Sequence, residues 1–600
     1  MSSTMGNFYV GVSGLQSSQY ALNITAHNIT NAGTAGYSRQ QIILTDLSYS
    51  NLGNTAIGKN QSGLGTRIAD VRLVRDRFLD TQYRKERGRE QFYQTKYDVV
   101  AEVQHFFGKL ESSSFRSSMV NLWEAAEELQ KESNSIVTRS TYIATGVTFI
   151  DQANKIYKQL TEYQENLNKE IQDQVDRINE LADIIFELNE KIVKIEASHI
   201  ESANDYRDQR DAALDELGGL ISISYRELNG QVDVYAEHRS LVSMDRVYKM
   251  GVREVSDTCQ YYVPIWEDDQ ADVFNLYVIP NSDSMTDIGS LKGILMSRGD
   301  WLANYTDIPV APKAPVKPVR DDFATDAEYD QAILDYQTEY QQYQVDYQQF
   351  VEDRNDYNRY LEPYTVNNII AQFDQLIHGV VTSINDILCP NKEITLNDGS
   401  TIKVLDEEKA GYGMGESNRI QGTEMFNRKT TPRYTEQTVT LADGTTSTVM
   451  VYNEENPDDY LSLYTLGNIE VNDELIKNPS LLPLSNLQEE ELQTVADQLI
   501  AVWTDKSARL GPNSLVDVDF LGYFKEFVGD FANKGKMYNG IAESENKAAQ
   551  EIDNQRQMVV GVSTDEELSH LIRYQQGYNA SSRYFTVVSE MVEHLINKLG

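Results

Sequence analysis

The chain has 600 residues, of which 40% are hydrophobic and 10% aromatic, so it is long enough for roughly three to five domains with their own cores. It carries 92 acidic against 53 basic residues, a net charge of −39, which excludes nucleic acid as a partner because phosphate binding needs a basic face. No apolar run approaches the ~18 residues of a membrane span, and the two cysteines, Cys259 and Cys389, are too few for a disulfide framework.

The N-terminal segment predicts a helix of unusual composition. The first 38 residues contain no Asp, Glu, Lys or Arg, and Arg39 is the first charged side chain. Within them, seven residues alternate at spacings of four and three: Phe8, Val12, Leu15, Gln19, Leu22, Ala26 and Ile29. This spacing predicts a helix with an a/d seam that stops near Gly33. An outer face that is polar but uncharged is typical of a helix surrounded by other protein.

The last 40 residues predict a second long helix. Ser563 with Glu566, or Thr564 with Glu567, predicts a capping box at its start. The apolar positions recur every seven residues with partners between them: Leu571, Tyr578, Phe585, Val592 and Leu599, and Tyr574, Val588 and Leu595. Neither helix would be stable alone with its stripe in water, so we expect the two ends to pair. The pair either serves only the monomer or is also an assembly element, and the charge-free face favours assembly.

Three blocks of residues carry a family signature. They contain Asn28, Asn31, Gly36, Tyr37 and Arg39 in the first block, Asn204, Asp205, Asp208, Arg210 and Asp211 in the second, and Asp565, Glu566, Glu567 and Gln575 in the third. In this combination and order they resemble the hook-associated protein 1 family of bacterial flagellar axial proteins. Arg207 stands where an apolar residue is usual in that family.

The resemblance implies a structural subunit of the flagellum that joins hook to filament. It implies as partners other copies of the chain, the hook protein and hook-associated protein 3. It also implies signal-less export through the type III export apparatus with an export chaperone, and a secreted, extracellular place on the flagellum. The start of the chain lacks a cleavable signal, which by itself favours the cytosol.

The residues expected to carry assembly follow from the two seams. They are Phe8, Val12, Leu15, Leu22, Ile29, Leu571, Tyr578, Phe585, Val588, Val592 and Leu595. The sequence contains no HExxH or other metal spacing, no Gly-x-Ser-x-Gly elbow and no phosphate-binding glycine loop. We therefore expect no enzyme activity, no cofactor, no metal and no membrane partner.

The middle of the chain changes period twice. Residues 71–220 read as helical, with an amphipathic stripe from Ile171 to Ile195 and a short helix from Asn204 to Leu217 that Gly218-Gly219 ends. Residues 221–303 and 391–480 read as β-rich, with hairpin turns at Asn229-Gly230, Asp398-Gly399 and Asp443-Gly444. Helical patterns return over 485–560.

One segment stands apart between these regions. Pro309, Pro312, Pro315 and Pro318 recur every third residue, which keeps them on one edge of a polyproline II rod. Aromatic residues then recur every seventh position from Tyr329 to Tyr364, which predicts a heptad helix with an aromatic seam. The seam is expected to pack on its own domain, and an exposed glycan- or protein-binding rod is the alternative.

Together these patterns predict a multidomain α+β chain. The expected parts are a terminal helical antiparallel coiled-coil domain (1–70 and 548–600), a rod-like α-helical domain (71–220 with 365–390 and 485–547), an outer β-rich domain (221–304 and 391–484), and an insertion (305–364) with a Pro-rich spacer and a Tyr-rich helix. Two rival functions stay open. The chain could be another axial subunit of the rod or hook, or its outer region could be an adhesin for host glycan or mucin.

Overall fold

The structure, a computed structural model, describes residues 2–34, 36–55, 58–108, 115–197, 202–256, 259–276, 278–415, 420–488 and 490–599. The α-helices in these ranges are α1 Ser2–Thr30, α2 Arg77–Phe106, α3 Phe115–Lys131, α4 Ile136–Glu196, α5 Asn204–Leu220, α6 Ser290–Arg298, α7 Asp326–Asp356, α8 Thr365–Leu388, α9 Asp473–Lys477, α10 Gln493–Thr504, α11 Phe520–Val560 and α12 Thr564–Leu599. The strands are β1 Gln40–Asp46, β2 Tyr49–Thr55, β3 Gly58–Gly63, β4 Thr66–Leu73, β5 Ile223–Leu228, β6 Gln231–Ala236, β7 Arg239–Val242, β8 Met250–Ser256, β9 Cys259–Trp266, β10 Asn391–Thr395, β11 Thr401–Leu405, β12 Phe426–Arg428, β13 Tyr434–Thr440, β14 Thr446–Tyr452 and β15 Ile469–Val471. The chain is mixed α+β, as the sequence predicts.

The helical body is built around α2, α4 and α11. Helix α2 lies along α11, while α3 and α5 pack on α4. At the centre, the Phe107 ring lies 5.2 Å from the rings of Phe373 and Phe527, and Phe115 lies 5.0 Å from Phe373. Such ring contacts add to the burial of apolar area, so helices distant in sequence share one core.

The amphipathic stripe predicted within residues 171–195 lies on α4, which begins much earlier, at Ile136. The stripe residues from Ile171 to Ile192 are buried, and they meet α5, β6 and β8. The long helix is therefore the support on which the first β-rich region rests.

The sheets among the described residues are small and antiparallel. Their strand orders are β1-β4, β2-β3, β5-β6-β7, β8-β9, β10-β11-β14-β13 and β12-β15. All three hairpin turns predicted from the sequence are confirmed, since they connect β5 to β6, β10 to β11, and β13 to β14. Gly230, Gly399 and Gly444 have φ of +83°, +84° and +82°, a region that glycine enters at low cost.

The first helix ends at Thr30, near the predicted stop, and the rest of the range 1–70 assigned to the terminal helical domain contains strands. Strands β1 and β4 pair from Gln40↔Leu73 to Asp46↔Thr66, and β2 pairs with β3. The β-branched and leucine residues of β1 fit a pleated surface, but the run is too short for a period to stand out beside the long helix before it.

The prediction that Gly218-Gly219 ends a helix is also wrong, because α5 continues to Leu220. These glycines permit close packing instead. A Cβ on Gly88 of α2 would lie 2.6 Å from the Gly218 carbonyl oxygen, and a Cβ on Gly218 would lie 3.2 Å from the Arg84 Cβ. The two helices can therefore approach at this point because neither has a side chain there.

The segment from residue 309 to residue 356, hereafter the arm, differs from its prediction in one respect. Helix α7 begins at the predicted aromatic stretch, with a capping box between Thr325 and Glu328, and a π-helical turn, Tyr357–Leu361, follows it. Along α7 only Phe350 is buried, while Tyr329, Tyr336 and Tyr343 are half-buried and Tyr340 and Tyr347 are exposed, so the seam packs on its own domain only in part. Neighbouring Tyr336, Tyr340, Tyr343 and Tyr347 instead form a ladder with ring centroids 5.8–5.9 Å apart.

Among the described helices, none is both long and apolar enough to cross a membrane.

Candidate assembly interface

The two terminal helices, α1 and α12, pack side by side in opposite directions. The rings of Phe8 and Phe585 meet edge to face at 5.1 Å. Towards the middle of the pair, a Cβ on Gly14 would lie 2.5 Å from the Ser581 Oγ, and a Cβ on Gly577 would lie 3.1 Å from the Ser18 Oγ. Small residues therefore set the distance between the helix axes.

The buried face of α1 is not the predicted apolar seam. It consists of small or short side chains at helical spacing: Gly11, Ser13, Ser17, Ala21, Thr25 and Asn28. Of the predicted assembly residues on α1, Phe8, Leu15, Leu22 and Ile29 are half-buried and Val12 is exposed. Apart from the contact between Phe8 and Phe585, the two seams are therefore not buried against each other within one chain.

Helix α12 shows the same pattern. Among the predicted residues, Val588 is buried, Leu571, Phe585 and Val592 are half-buried, and Tyr578 and Leu595 are exposed. Both helices also carry exposed large apolar side chains, which together we call the apolar stripe: Tyr9, Val12, Tyr20, Leu568, Ile572, Tyr578, Tyr584, Val587, Met591, Leu595 and Ile596. An exposed surface of this kind marks an interaction site.

A polar hub fixes the turn that follows α1. The Asn28 side chain donates to the Gln40 carbonyl at 2.9 Å and accepts from the Gln40 N–H at 3.0 Å. The Tyr37 hydroxyl donates to Asn28 Oδ1 at 2.8 Å, and Asn31 Nδ2 donates to the His27 carbonyl at 3.1 Å. Gly36 has φ +79°. The first family block therefore closes the turn that brings β1 against α1.

The second family block lies on α5 and receives this turn. The Ser38 N–H donates to Asp208 Oδ2 at 2.9 Å, Gln40 Nε2 donates to Asp205 at 3.4 Å, and Asn204 Nδ2 donates to the Val71 carbonyl at 3.0 Å. The first and second blocks therefore contact each other, and they join the terminal segment to the helical body.

A network of ion pairs, hereafter the joint, surrounds this contact. Arg75 pairs with Asp80 at 2.6 Å and with Asp211 at 3.0 Å. Arg84 pairs with Asp215 at 2.6 Å. Arg556, near the end of α11, pairs with Asp215 at 2.7 Å. The joint thus ties α2, α5 and α11 together where both ends of the chain leave the body.

Burial shifts the pKa values of Asp208 and Tyr37, which lie beside the joint. It raises the pKa of Asp208 to about 6, and the Asp211 carboxylate acts in the same direction against the Ser38 hydrogen bonds and Arg75. Burial, with Asp205, Asp208 and Glu567 beside it, raises the pKa of the Tyr37 hydroxyl. Both groups are thus held more firmly in their protonated forms than in water.

Arg207 and Arg210 take part in a neighbouring cluster. Arg210 Nη1 donates to Asn189 Oδ1 at 2.9 Å and to the Gly230 carbonyl at 2.7 Å. Arg207 pairs with Glu196 at 2.7 Å and also with Glu227. The departure from the family at Arg207 is thus accommodated by two carboxylates.

The third block begins α12. Ser563 Oγ accepts from the Glu566 N–H at 3.4 Å, so the first of the two predicted capping arrangements supplies the bond. Glu566 pairs with Arg39 at 2.9 Å, and Glu567 is buried. Asp565 and Gln575 are exposed. The start of α12 is thereby anchored to the end of the N-terminal turn.

Sequence reasoning missed five residues of the joint: Arg75, Asp80, Arg84, Asp215 and Arg556. One signal was available, because Asp208, Asp211 and Asp215 recur at spacings of three and four and so share a face of α5. Their cationic partners lie up to 341 positions away along the chain, and no local pattern indicates them. Within the described part of the chain, no cluster of three or more His, Cys, Asp or Glu side chains could hold a metal ion, and Cys259 and Cys389 are buried free thiols.

Comparisons with known proteins match this chain to flagellar proteins along its length. The family model described as "Flagellar hook-associated protein FlgK helical domain" matches residues 100–308, and "Flagella basal body rod protein" matches residues 8–37. Flagellar hook-associated protein 1 of Bacillus subtilis (strain 168) is 23% identical over 100% of this chain and 99% of its own length. Flagellar hook-associated protein 1 of Escherichia coli (strain K12) is 21% identical over the whole of both chains.

A solved structure is also similar. The flagellar hook junction protein FlgK from Burkholderia pseudomallei matches with a TM-score of 0.47 and 12% identity, over 80% of this chain and all of that one. The full-length similarity to two proteins of one name does not favour the alternative of a rod or hook subunit, nor that of an adhesin.

Proposed function

We propose, because this chain belongs to the flagellar hook-associated protein 1 family, that it is a structural subunit of the zone where the bacterial hook meets the filament. The observation that carries the proposal is the apolar stripe on α1 and α12. The two helices already pair through their small-residue faces, so their larger apolar side chains are left for contacts with other subunits.

Packing of the apolar stripe supplies the free energy of assembly. Each large side chain that moves from water into a packed contact contributes about 1.5–3 kcal/mol, and several such side chains per copy exceed the entropy lost when a copy is fixed in place. We infer that α1 and α12 form a coiled-coil inner layer, with Phe8, Leu15, Leu22, Ile29, Leu571, Phe585 and Val592 at the margins between copies.

The joint gives this layer a defined orientation relative to the helical body. Arg75, Arg84 and Arg556 are at most 14% exposed in their side chains and each meets at least one carboxylate. Buried pairs with several partners fix geometry more than they add stability. We infer that the joint holds the terminal helices at the angle that the junction requires.

The remaining assignments extend this proposal. The helical body forms a rod-like second layer, the β-rich regions face outward, and the arm projects from them. Association with copies of itself and with other flagellar components follows from family membership, and we propose the hook protein and hook-associated protein 3 as neighbours. We further propose delivery by the type III export apparatus with an export chaperone, and an extracellular, non-enzymatic role.

Imaging of labelled protein on intact cells tests the proposal. Leu515 is 95% exposed, so Leu515→Cys gives a maleimide site, whereas the native thiols are buried. One short band between hook and filament is expected. A Val592→Asp version should be exported and soluble yet give no band and no attached filament. Label along the whole filament or in the rod would contradict the proposal.

A further inference from the structure

The arm presents two apolar surfaces to solvent. Its extended proline segment, 309–319, keeps the four prolines half-buried, whereas Val310, Val316 and Val319 are 76%, 89% and 57% exposed. Near the base of the arm, Pro309 and Pro312 share a cleft of 760 Å³ with Tyr343 and Tyr347 of α7. Pro309 and Pro312 therefore lie towards the aromatic seam. The valines form a second, largely exposed edge, although Val310 and Lys313 also line the cleft at its base.

The second surface is the outer side of α7. Leu334 and Val345 are 56% and 64% exposed, and they stand apart from the tyrosine ladder on the opposite side of the helix. Asp335 and Asp346 follow them directly in the sequence, and each accepts a hydrogen bond at 2.8 Å from a glutamine one turn earlier. The same pair of residue types, one apolar and one acidic, is thus presented twice.

The two surfaces carry opposite charge. Lys313 lies on the valine edge, because a three-residue period groups it with Val310, Val316 and Val319. Lys317 lies on the adjacent edge and is also exposed, in a chain whose net charge is −39. Helix α7 contains nine acidic residues and one basic residue, Arg354. Two α7 helices would repel each other, whereas the valine–lysine edge complements α7 in charge as well as in polarity.

Their spacings also correspond. Six residues of polyproline geometry separate Val310 from Val316 by about 19 Å, and eleven helical residues separate Leu334 from Val345 by about 16 Å. The difference is within the reach of the side chains. The edge cannot reach the outer side of its own α7, because the prolines of the same segment already face the seam of that helix.

We propose that the valine–lysine edge of one copy packs on the outer side of α7 of a neighbouring copy. The inference rests on the proposed function, which sets copies side by side. A contact between two different patches repeats from copy to copy, and such a contact generates a ring or a helix of subunits. The arm is then a lateral clasp in the outer layer.

Cross-linking between two full-length variants tests the contact. Cells produce one copy with Val316→Cys and a second with Val345→Cys, and their isolated flagella are treated with a short bis-maleimide. A covalent dimer is expected in the mixture, and in neither variant alone, since the two patches differ. Absence of the dimer in flagella that hold both variants at the junction would overturn the clasp and leave the proposed function standing. Absence of both variants from the junction would overturn both.

Charge reversal supplies a second measurement. Lys313→Glu with Lys317→Glu on the Val316→Cys copy should reduce the dimer at least tenfold, and Asp335→Lys with Asp346→Lys on the other copy should restore it. An unchanged yield in the first case would refute the charge pairing. If no dimer forms but soluble mucin glycan protects Val316→Cys from maleimide, the edge binds an outside ligand and the clasp is wrong.

Discussion

The Ser38 N–H donates to Asp208 Oδ2 at 2.9 Å across 170 positions of sequence, and this bond joins the end of the N-terminal turn to α5. It sits beside Arg75, which reaches both Asp80 and Asp211. The contact between the N-terminal turn and the helical body therefore includes the buried carboxylate of Asp208, whose charge depends on pH.

The first prediction concerns that carboxylate. Because the folded pKa of Asp208 is raised to about 6 from an unfolded value near 4, the stabilisation is complete below pH 4 and is lost as pH rises through 6. Ionisation there costs on the order of 2–3 kcal/mol. Asp208→Asn keeps an acceptor for Ser38, so its unfolding temperature should rise relative to wild type between pH 4 and pH 7. Asp565→Asn, at an exposed position, is the control; a constant difference across this range would refute the assignment.

The second prediction concerns Glu545, a residue of α11 that faces α2 and pairs with Arg89. Burial and a hydrogen bond that the protonated Glu545 carboxyl donates to the Glu86 carboxylate raise the pKa of Glu545 to about 7, against the opposing Arg89. A raised pKa means that stability falls as pH rises through 7. Glu545→Gln should therefore raise the thermal unfolding temperature at pH 8.5 and leave it unchanged at pH 5.5. Glu543→Gln, at a nearby exposed position, should have no effect at either pH. An equal gain for Glu545→Gln at pH 5.5 and pH 8.5 would contradict the raised pKa of Glu545.

The third prediction concerns the apolar stripe. Met591 is 60% exposed, so Met591→Asp should change the free energy of unfolding of the purified chain by less than about 0.5 kcal/mol. In flagella it places a charge in the contact between copies and should abolish filament attachment. Electron microscopy of cells measures this. Thr586→Asp, at an exposed position about 140° around α12 from Met591, is the matched control, and normal filaments in Met591→Asp would count against the stripe.

The fourth prediction concerns the close approach of α1 and α12. A Cβ at Gly14 meets Ser581 Oγ at 2.5 Å, so Gly14→Val should weaken the pair by about 1–3 kcal/mol through overpacking. The temperature at which filaments detach from isolated hooks should fall, and Ser581→Gly in the same chain should partly restore it. Gly33→Ala meets nothing within 4 Å and should leave the detachment temperature unchanged.

The fifth prediction concerns the extent of the arm. Replacement of residues 310–348 by a short Gly/Ser linker removes the proposed clasp but only exposed or half-buried residues. It should spare export and filament attachment, because attachment is proposed to depend on the apolar stripe. Deletion of the whole segment 305–362 should cost far more stability, since it removes the buried Ile308, Tyr357 and Leu361, which pack on Ala303 and Ala371. Comparison of the two deletions by thermal unfolding checks this; equal stability would contradict the assignment.

Several elements could be predicted from local pattern. The two terminal helices, the stripe on α4 and the three glycine turns each follow from a period or a dipeptide whose meaning does not depend on distant residues. The buried face of α1 could not be predicted in this way. Hydrophobic periodicity identifies large apolar side chains, whereas close packing of two helices requires small residues such as Gly14, Ser17 and Ala21. The joint could not be predicted from local pattern either, because its partners are distant in sequence: Arg84 contacts Asp211 across 127 positions.

The composition of α1 has a consequence for the environment in which the polymer works. The helix contains no carboxylate, ammonium or guanidinium side chain, so mobile ions have no charge on its side chains to screen. Contacts made through α1 should hold equally in fresh water and in brine. If the β-rich regions and the arm face outward, as proposed above, the sensitivity of the polymer to ionic strength resides in those acidic parts.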